Sequence, residues 1–299
     1  DITHSAPTDK PDGRVLAGRG GTDYPLHMTA VSAEMTRTIQ AELQDIAAAD
    51  NVLVLLGIES GSRAWGFHSP DSDYDVRFIY AEPVEWHLSL DKKRDVIERP
   101  IDAILDVSGW SLAKTLKLIM TGNAVAAEWL QSPICYDQAP GFRETLVDFA
   151  QDAMQRRPTT WHYSALCHNQ LKRCYDEDGK LRLKKFFYAL RPALAMRWMR
   201  ENDAPMPPMD MAALRAGCDL AETLSEQIDE LTVLKANARE VGTADISFPD
   251  IEMLIKEELW AAENWLKLST DQPPKEGLHD RANAIHAQFC RMAGDNHKI

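Results

Sequence analysis

The 299-residue chain contains no apolar run near the ~18 residues that a membrane-crossing helix needs. A helical membrane span is therefore excluded, and no membrane partner is expected. Cysteine is scarce and odd in number, at Cys135, Cys167, Cys174, Cys218 and Cys290, with no Cys-x-x-Cys pair. That usage excludes a disulfide-built scaffold and suits the reduced thiols of a cytoplasmic protein. Cys167 and Cys174 lie near His162 and His168, but the spacing matches no zinc pattern, so buried structural thiols are expected. Positive charge is in deficit too, with 33 Lys/Arg against 46 Asp/Glu and a net charge of −13. A uniformly acidic surface would repel nucleic acid and anionic lipid. The charge is not uniform, however. Residues 151–200 hold eleven Lys/Arg against four Asp/Glu, and a basic segment in an acidic chain can meet a small polyanion.

What is present is ordinary globular material, 44% hydrophobic and 26% charged, enough for a sizeable core and for one or two domains. Residues 1–27 are rich in Gly, Pro, Thr, Asp and Arg, show no apolar period or hydrophobic signal core, and read as a flexible tail. Apolar residues recur at three or four positions from Met28 to Ile46, which predicts a helix over 28–50. The run VLVLLGI at 52–58 reads as a buried strand, 59–73 as a loop, and 74–80 as a second strand. Weaker strands are expected within 85–91 and 96–107, then helices over 111–120 and 125–131. Beyond residue 140 the strand signal fades. Helical patterns cover 143–155, 160–176, 181–201, 210–224, 225–240, 249–268 and 277–293. The expected fold class is α+β, with a small mixed-sheet domain over 28–140 followed by a helical domain over 141–299.

The chemistry concentrates in 57–80, GIESGSRAWGFHSPDSDYDVRFIY. Asp73 and Asp75 are two apart at the opening of a strand, so they share a face about 7 Å apart at Cα. Two carboxylates on one face repel unless a cation sits between them, and hard oxygen donors favour Mg²⁺ or Mn²⁺. Gly61 lets backbone approach a ligand closely, and Ser62 adds a hydroxyl beside backbone N–H groups, a setting that suits phosphate. Two-metal phosphoryl chemistry calls for a further carboxylate from another strand. The run IDAILDV at 101–107 offers Asp102 and Asp106. Asp106, at the strand's end before the Ser-Gly-Trp turn, is the better placed.

Two look-alikes fail on chemistry. Asp71, Asp73, Asp75 and Glu82 occupy positions 1, 3, 5 and 12 of a calcium-binding EF-hand loop, but Val76 stands where that loop needs glycine. Gly61 and Gly66 imitate a P-loop, but Phe67-His68 stands where Lys-Ser/Thr is required. An Asp/Ser-rich hairpin turn serving only solubility does not explain Gly-Ser between two strands with a third Asp strand downstream. His68 reads as a solvated loop histidine, Trp65 as a loop anchor or a base-stacking ring, Asn123 as a helix cap and Glu128 as an inter-domain contact. Further on, Lys184, Tyr188 and Arg191 fall at i, i+4 and i+7 of a helix, with Lys185 adjacent and Pro192 following. Such a face, opposite a carboxylate site, can clamp a triphosphate and hold a nucleoside.

Gly61-Ser62, a spacer, then Ser72-Asp73-Tyr74-Asp75 and VRFIY resemble the nucleotidyltransferase superfamily typified by DNA polymerase β. The longer string GSRAWGFHSPDSDYDVRFIY resembles a branch of predicted bacterial and phage nucleotidyltransferases, some labelled RNA-repair-pathway polymerase-β-like proteins. DVSGWSLAK at 106–114, GNAVAAEWLQSP at 122–133 and KKFFYALRPALAMRW at 184–198 are similar to that branch too, except that Ser111 stands where it has an acidic residue. The likeness covers about 52–208. It implies that Asp73, Asp75 and Asp106 are the catalytic metal carboxylates, and that Gly61, Ser62, Lys184, Lys185, Tyr188 and Arg191 bind the nucleotide. The implied reaction moves NMP from an NTP to an acceptor hydroxyl on RNA, a protein or a small molecule, with pyrophosphate leaving and Mg²⁺ or Mn²⁺ as cofactor. The rival is a nucleotide-binding sensor that keeps the fold without turnover.

Overall fold

The computed structural model describes residues 31–91, 93–100, 104–237, 242–270 and 275–296. The tail expected over 1–27, the helix start expected at Met28, and Asp102 lie outside these residues. The first helix, α1 (Ala33–Asp50), begins where the Ser32 hydroxyl accepts a hydrogen bond from the Met35 N–H, and it buries Ile39, Leu43 and Ile46. It ends at Asn51, whose φ of 54° is the left-handed conformation that stops a helix.

Five strands form one sheet in the order β3-β4-β2-β1-β5: β1 (Leu53–Glu59), β2 (Tyr74–Ala81), β3 (Val96–Glu98), β4 (Leu105–Ser111) and β5 (Cys135–Gln138). Only the central β2–β4 pair is parallel; the other neighbours are antiparallel. β1 is buried at all but its first residue, as a strand covered on both faces must be. The loop expected over 59–73 contains a short helix, α2 (Gly61–Trp65). The weak strand expected within 85–91 is instead a helical turn, α3 (Val84–His87), because Pro83 presets the backbone at its entry. α4 (Leu112–Met120) is capped by the Ser111 hydroxyl, and α5 (Ala124–Leu130) by Asn123, the cap expected there. β5 carries little sequence signal: it is four residues long and begins two residues after Pro133.

The remaining helices are α6 (Phe142–Ala153), α7 (Arg156–Leu171), α8 (Leu183–Asn202), α9 (Met211–Ala216), α10 (Glu222–Asn237), α11 (Pro249–Leu268) and α12 (Leu278–Asn296). A two-residue pairing of β6 (Leu181–Arg182) with β7 (Thr243–Ala244) ties the start of α8 to the segment before α11. The architecture is α+β. One face of the sheet packs on α1 through Ile39, Leu43, Ile46, Val76 and Phe78. The other packs on α4, α5, α6 and α12, with Phe142 meeting Phe289 edge to face at 4.9 Å. A third core surrounds α8, which is buried on nearly every side between α7, α10 and α11. Residues beyond 140 thus contribute to two cores: α6 and α12 to the sheet's, the others to that around α8.

Candidate active site

The sheet's central strands bring the carboxylates together. In the parallel β2–β4 pair, Asp75 and Asp106 are direct partners in register, so their side chains emerge side by side on one face. Each is about one-third exposed, at 30% and 31%. The Arg77 guanidinium, two residues on and therefore on the same face, lies between them: Nη2 is 3.4 Å from Asp75 and 2.8 Å from Asp106. Arg77 also donates through Nη1 to the backbone carbonyls of Val76 and Asp106, each at 2.9 Å. Burial pushes the Asp75 carboxyl above its ordinary range; Asp106 and Asp73 push the same way, while Arg77 and Lys184 oppose.

Gly61 is fitted to Asp75. Its φ is +62°, and a Cβ there would stand 1.9 Å from Asp75 Oδ2 and 2.8 Å from Asp75 Cγ. Only a residue without a side chain takes this backbone and leaves the carboxylate its place. The turn is pinned by Ser60 N–H donating to the Asp75 carbonyl at 2.8 Å. Arg63 of α2 holds the returning chain, donating to the carbonyls of Ser72 at 2.6 Å and Asp73 at 3.2 Å and lying 3.9 Å over the Tyr74 ring. Asp73 itself stands one residue before β2. Among the described residues the three aspartates do not converge on one point as a ready-made ligand cluster. Arg77 instead supplies positive charge between two of them. Asp75 and Asp106 nonetheless fit a hard divalent cation: both offer carboxylate oxygen on one face, beside a turn in which Gly61 leaves Asp75 its place.

Glu59 escaped the sequence reading. It ends β1 fully buried, its Oε1 accepting from the Asp75 N–H at 3.0 Å and its Oε2 from the Tyr136 hydroxyl at 2.5 Å. Burial lifts its carboxyl to about 7, against the opposing hydrogen bonds from Tyr136 and Asp75. Glu59 thereby positions the backbone of Asp75. The available signal was an acidic residue closing an otherwise apolar run, which demands partners when buried.

Ser62 is buried, with its hydroxyl 3.4 Å from Ser72; Ser69 and Ser72 bond each other, and Lys235 of α10 donates to Ser69 at 3.0 Å. Trp65 and Phe67 pack on α8, Trp65 edge-on to Tyr188 at 5.0 Å and Phe67 stacked on Phe187 at 4.4 Å, so Trp65 anchors the loop. His68 is half-buried rather than solvated, and burial lowers its pKa. Lys184 and Lys185 both lie against the Tyr188 ring, and Lys184 is near enough to Asp75 to favour its charge.

Arg191 does not share that setting. It is 4% exposed, ion-paired to Glu128 at 2.9 Å, donates to the Met209 carbonyl at 2.9 Å, and covers the Trp65 ring at 4.6 Å. Glu128 also accepts from the buried Tyr163 hydroxyl at 2.7 Å. Arg191 and Glu128 therefore join α8 to α5. Cys167 and Cys174 donate to the backbone carbonyls of Ala189 and Gln170, each at 3.3 Å, which is the structural role expected of them. Val76 lies inside β2, so no EF-hand loop forms. No helix among the described residues is long and apolar enough to cross a membrane.

The chain resembles known proteins over most of its length. The model of the RNA repair pathway DNA polymerase beta family matches residues 35–284. The chain is also 39% identical over 207 residues to the "Uncharacterized protein YcgL" of Bacillus subtilis (strain 168), covering 69% of this chain and 79% of that protein.

Proposed function

This chain belongs to the RNA repair pathway DNA polymerase beta family, and on that premise we propose that it transfers NMP from an NTP to an acceptor hydroxyl. The observation carrying the reading is the in-register pair Asp75 and Asp106, with Gly61 lacking the side chain that would displace Asp75. The triphosphate lies along the Gly61-Ser62 turn, and Lys184 offsets its charge from α8. Asp73, Asp75 and Asp106 would hold Mg²⁺ or Mn²⁺, and the bound ion would supply neutralisation of the charge that develops on the transferring phosphate. Asp106, which is the second residue of β4 rather than the end of a strand before a Ser-Gly-Trp turn, orients the acceptor hydroxyl and takes its proton. The acceptor oxygen forms a bond to the α-phosphorus, the bond to the bridging oxygen breaks, and pyrophosphate leaves. Arg77 now pairs with both Asp75 and Asp106, so it would have to turn away to free these carboxylates for a cation. Lys185 and Tyr188 flank Lys184 and line the nucleoside side; Arg191 supports this wall from behind through Glu128.

The family's description points first to an RNA end as acceptor, ahead of a protein or a small molecule. Labelled NTPs offered with Mg²⁺ or Mn²⁺ to RNA, protein and metabolite fractions test the reading. Transfer lost in Asp75→Asn and Asp106→Asn supports it. A second reading, a nucleotide sensor without turnover, is favoured by one observation, the Arg77 bridge across the carboxylates. Tight NTP binding with no transfer to any fraction would select the sensor.

A further inference from the structure

A second group of ligand-type side chains lies where α3 meets α12. His286 and Cys290 are four residues apart and so share one face of α12, and His87 ends α3 against them. His87 Nε2 and His286 Nε2 each lie 3.4 Å from Cys290 Sγ, and all three ligand atoms fall within 4.8 Å of one another. The two imidazoles meet edge to face, with centroids 4.8 Å apart. Glu82, immediately beyond β2, borders the group with Oε2 3.8 Å from His87 Nε2. Its side chain is 1% exposed, and neither carboxylate oxygen has a hydrogen-bond partner among the described residues.

We propose that His87, His286 and Cys290, with Glu82 as fourth donor, form a Zn²⁺ site that pins α12 to the sheet domain. Three arguments converge. The first is geometric. Tetrahedral zinc with Zn–N near 2.0–2.1 Å and Zn–S near 2.3 Å separates its donors by about 3.3–3.6 Å. The two nitrogen–sulfur separations of 3.4 Å already match, Glu82 Oε2 at 3.8 Å from His87 Nε2 is close, and the two imidazole nitrogens, within 4.8 Å of each other, must draw together by about 1 Å on an ion.

The second is satisfaction of buried groups. A thiol has one proton and can donate to only one of the two ring nitrogens facing it. The Glu82 oxygens, out of water and unpartnered, are costly as they stand. A cation serves all four side chains at once. The third is charge. Zn²⁺ with one thiolate, one carboxylate and two neutral imidazoles sums to zero, the condition under which an ion is buried with least penalty. Binding converts the Cys290 thiol to thiolate and releases its proton to solvent. Thiolate and imidazole select zinc over Mg²⁺, so this site is chemically distinct from the aspartates. The His87 side chain, 26% exposed, gives the ion a way in.

The site also gives the C-terminal helix a purpose. α12 already buries Ile285, Phe289 and Ala293 in the sheet's core. A metal bridge adds a link between that helix and the turn that follows β2, the strand carrying Asp75.

The test uses the full chain, stripped with a chelator and refilled with Zn²⁺ or Co²⁺ alone, in excess Mg²⁺. The expected result is one tightly held zinc per chain by elemental analysis, a higher melting temperature, and a thiolate-to-Co²⁺ charge-transfer band. Cys290→Ser and His286→Asn should each weaken zinc at least about tenfold, and Cys290→Ser should lose the band. Glu82→Gln should weaken zinc and keep the band. Asp75→Asn should retain the zinc. Parent protein without the Co²⁺ thiolate band overturns the proposal whether or not the variants fold. Zinc lost in Asp75→Asn but kept in Cys290→Ser overturns it too.

Discussion

Gly61→Ala is the sharpest probe of the carboxylate site, because a neighbouring glycine supplies its control. An alanine at position 61 meets two penalties. Its φ of +62° is left-handed, which costs an L-residue about 1–2 kcal/mol. Its Cβ would also lie 1.9 Å from Asp75 Oδ2, so the carboxylate must move by about 1.5 Å to reach ordinary contact. Asp75 cannot answer by shifting its backbone, because its N–H is held by Glu59 and its carbonyl by the Ser60 N–H. The side chain must rotate off its partner Asp106. A misplacement near 1 Å in a reacting constellation can lower the rate on the order of 100-fold. Gly66 carries the first penalty alone. Its φ is +87°, and nothing among the described residues lies within 4 Å of an added Cβ. Gly66→Ala should lose the same ~1–2 kcal/mol of stability as strain alone dictates, yet keep NTP transfer. Urea unfolding measures the stability of both variants. Mg²⁺-dependent NTP stabilisation and transfer to the best acceptor measure function. Parent-like transfer in Gly61→Ala, or equal losses in the two variants, would refute the placement of Asp75.

Arg77→Gln should lower the melting temperature in chelator, since it leaves Asp75 beside Asp106 with no charge between them, and should enlarge the gain on adding Mg²⁺ with NTP. An unchanged gain in thermal melts argues against Arg77 holding the cation's place. Lys184→Ala should weaken NTP binding by about 1.5–3 kcal/mol, the value of a charge-assisted contact, without altering urea stability; unchanged affinity by calorimetry removes α8 from the site. Arg191→Met should instead cost about 3–5 kcal/mol of stability by stranding Glu128, and Arg191→Met with Glu128→Met should recover much of it. A double variant no more stable than the single one in urea contradicts that account. Burial lowers the His162 pKa, and its Nε2 has no partner among the described residues. The unfolded imidazole therefore takes up a proton more readily than the folded one, so stability is lost as pH falls below about 6.5. His162→Gln should flatten that fall; parallel pH profiles of the urea midpoint in parent and variant would show that His162 has no part in it.

The candidate carboxylates were legible because their signals are local. Two aspartates at period two, a glycine before them and an apolar strand on each side need no knowledge of distant contacts. Spacing along the chain does not show that Asp106 pairs with Asp75; this follows from the parallel β2–β4 register, across a sheet in which β3 intervenes in sequence but lies at the edge. The helix-face argument for Lys184, Tyr188 and Arg191 illustrates where local reasoning stops. All three do fall along one stripe of α8. That stripe is half-buried at Lys184 and Tyr188, then passes under Trp65 and reaches Glu128 by Arg191. A helix buried on nearly all sides has no solvated face from which to infer a ligand. The better signal lay in AVAAEWL: a lone glutamate in an apolar helix has to find a cation if it is buried, and the cation it finds is Arg191. The same logic separates the two clusters of metal-ligand type. His286 and Cys290 are only a helical turn apart, yet their third partner, His87, arrives from about two hundred residues earlier. Local periodicity cannot supply such a partner, whereas the packing of α12 back onto the sheet does. The C-terminal helix therefore belongs physically with the strand that carries Asp75, and loosening it should be felt at the carboxylates before it is felt around α8.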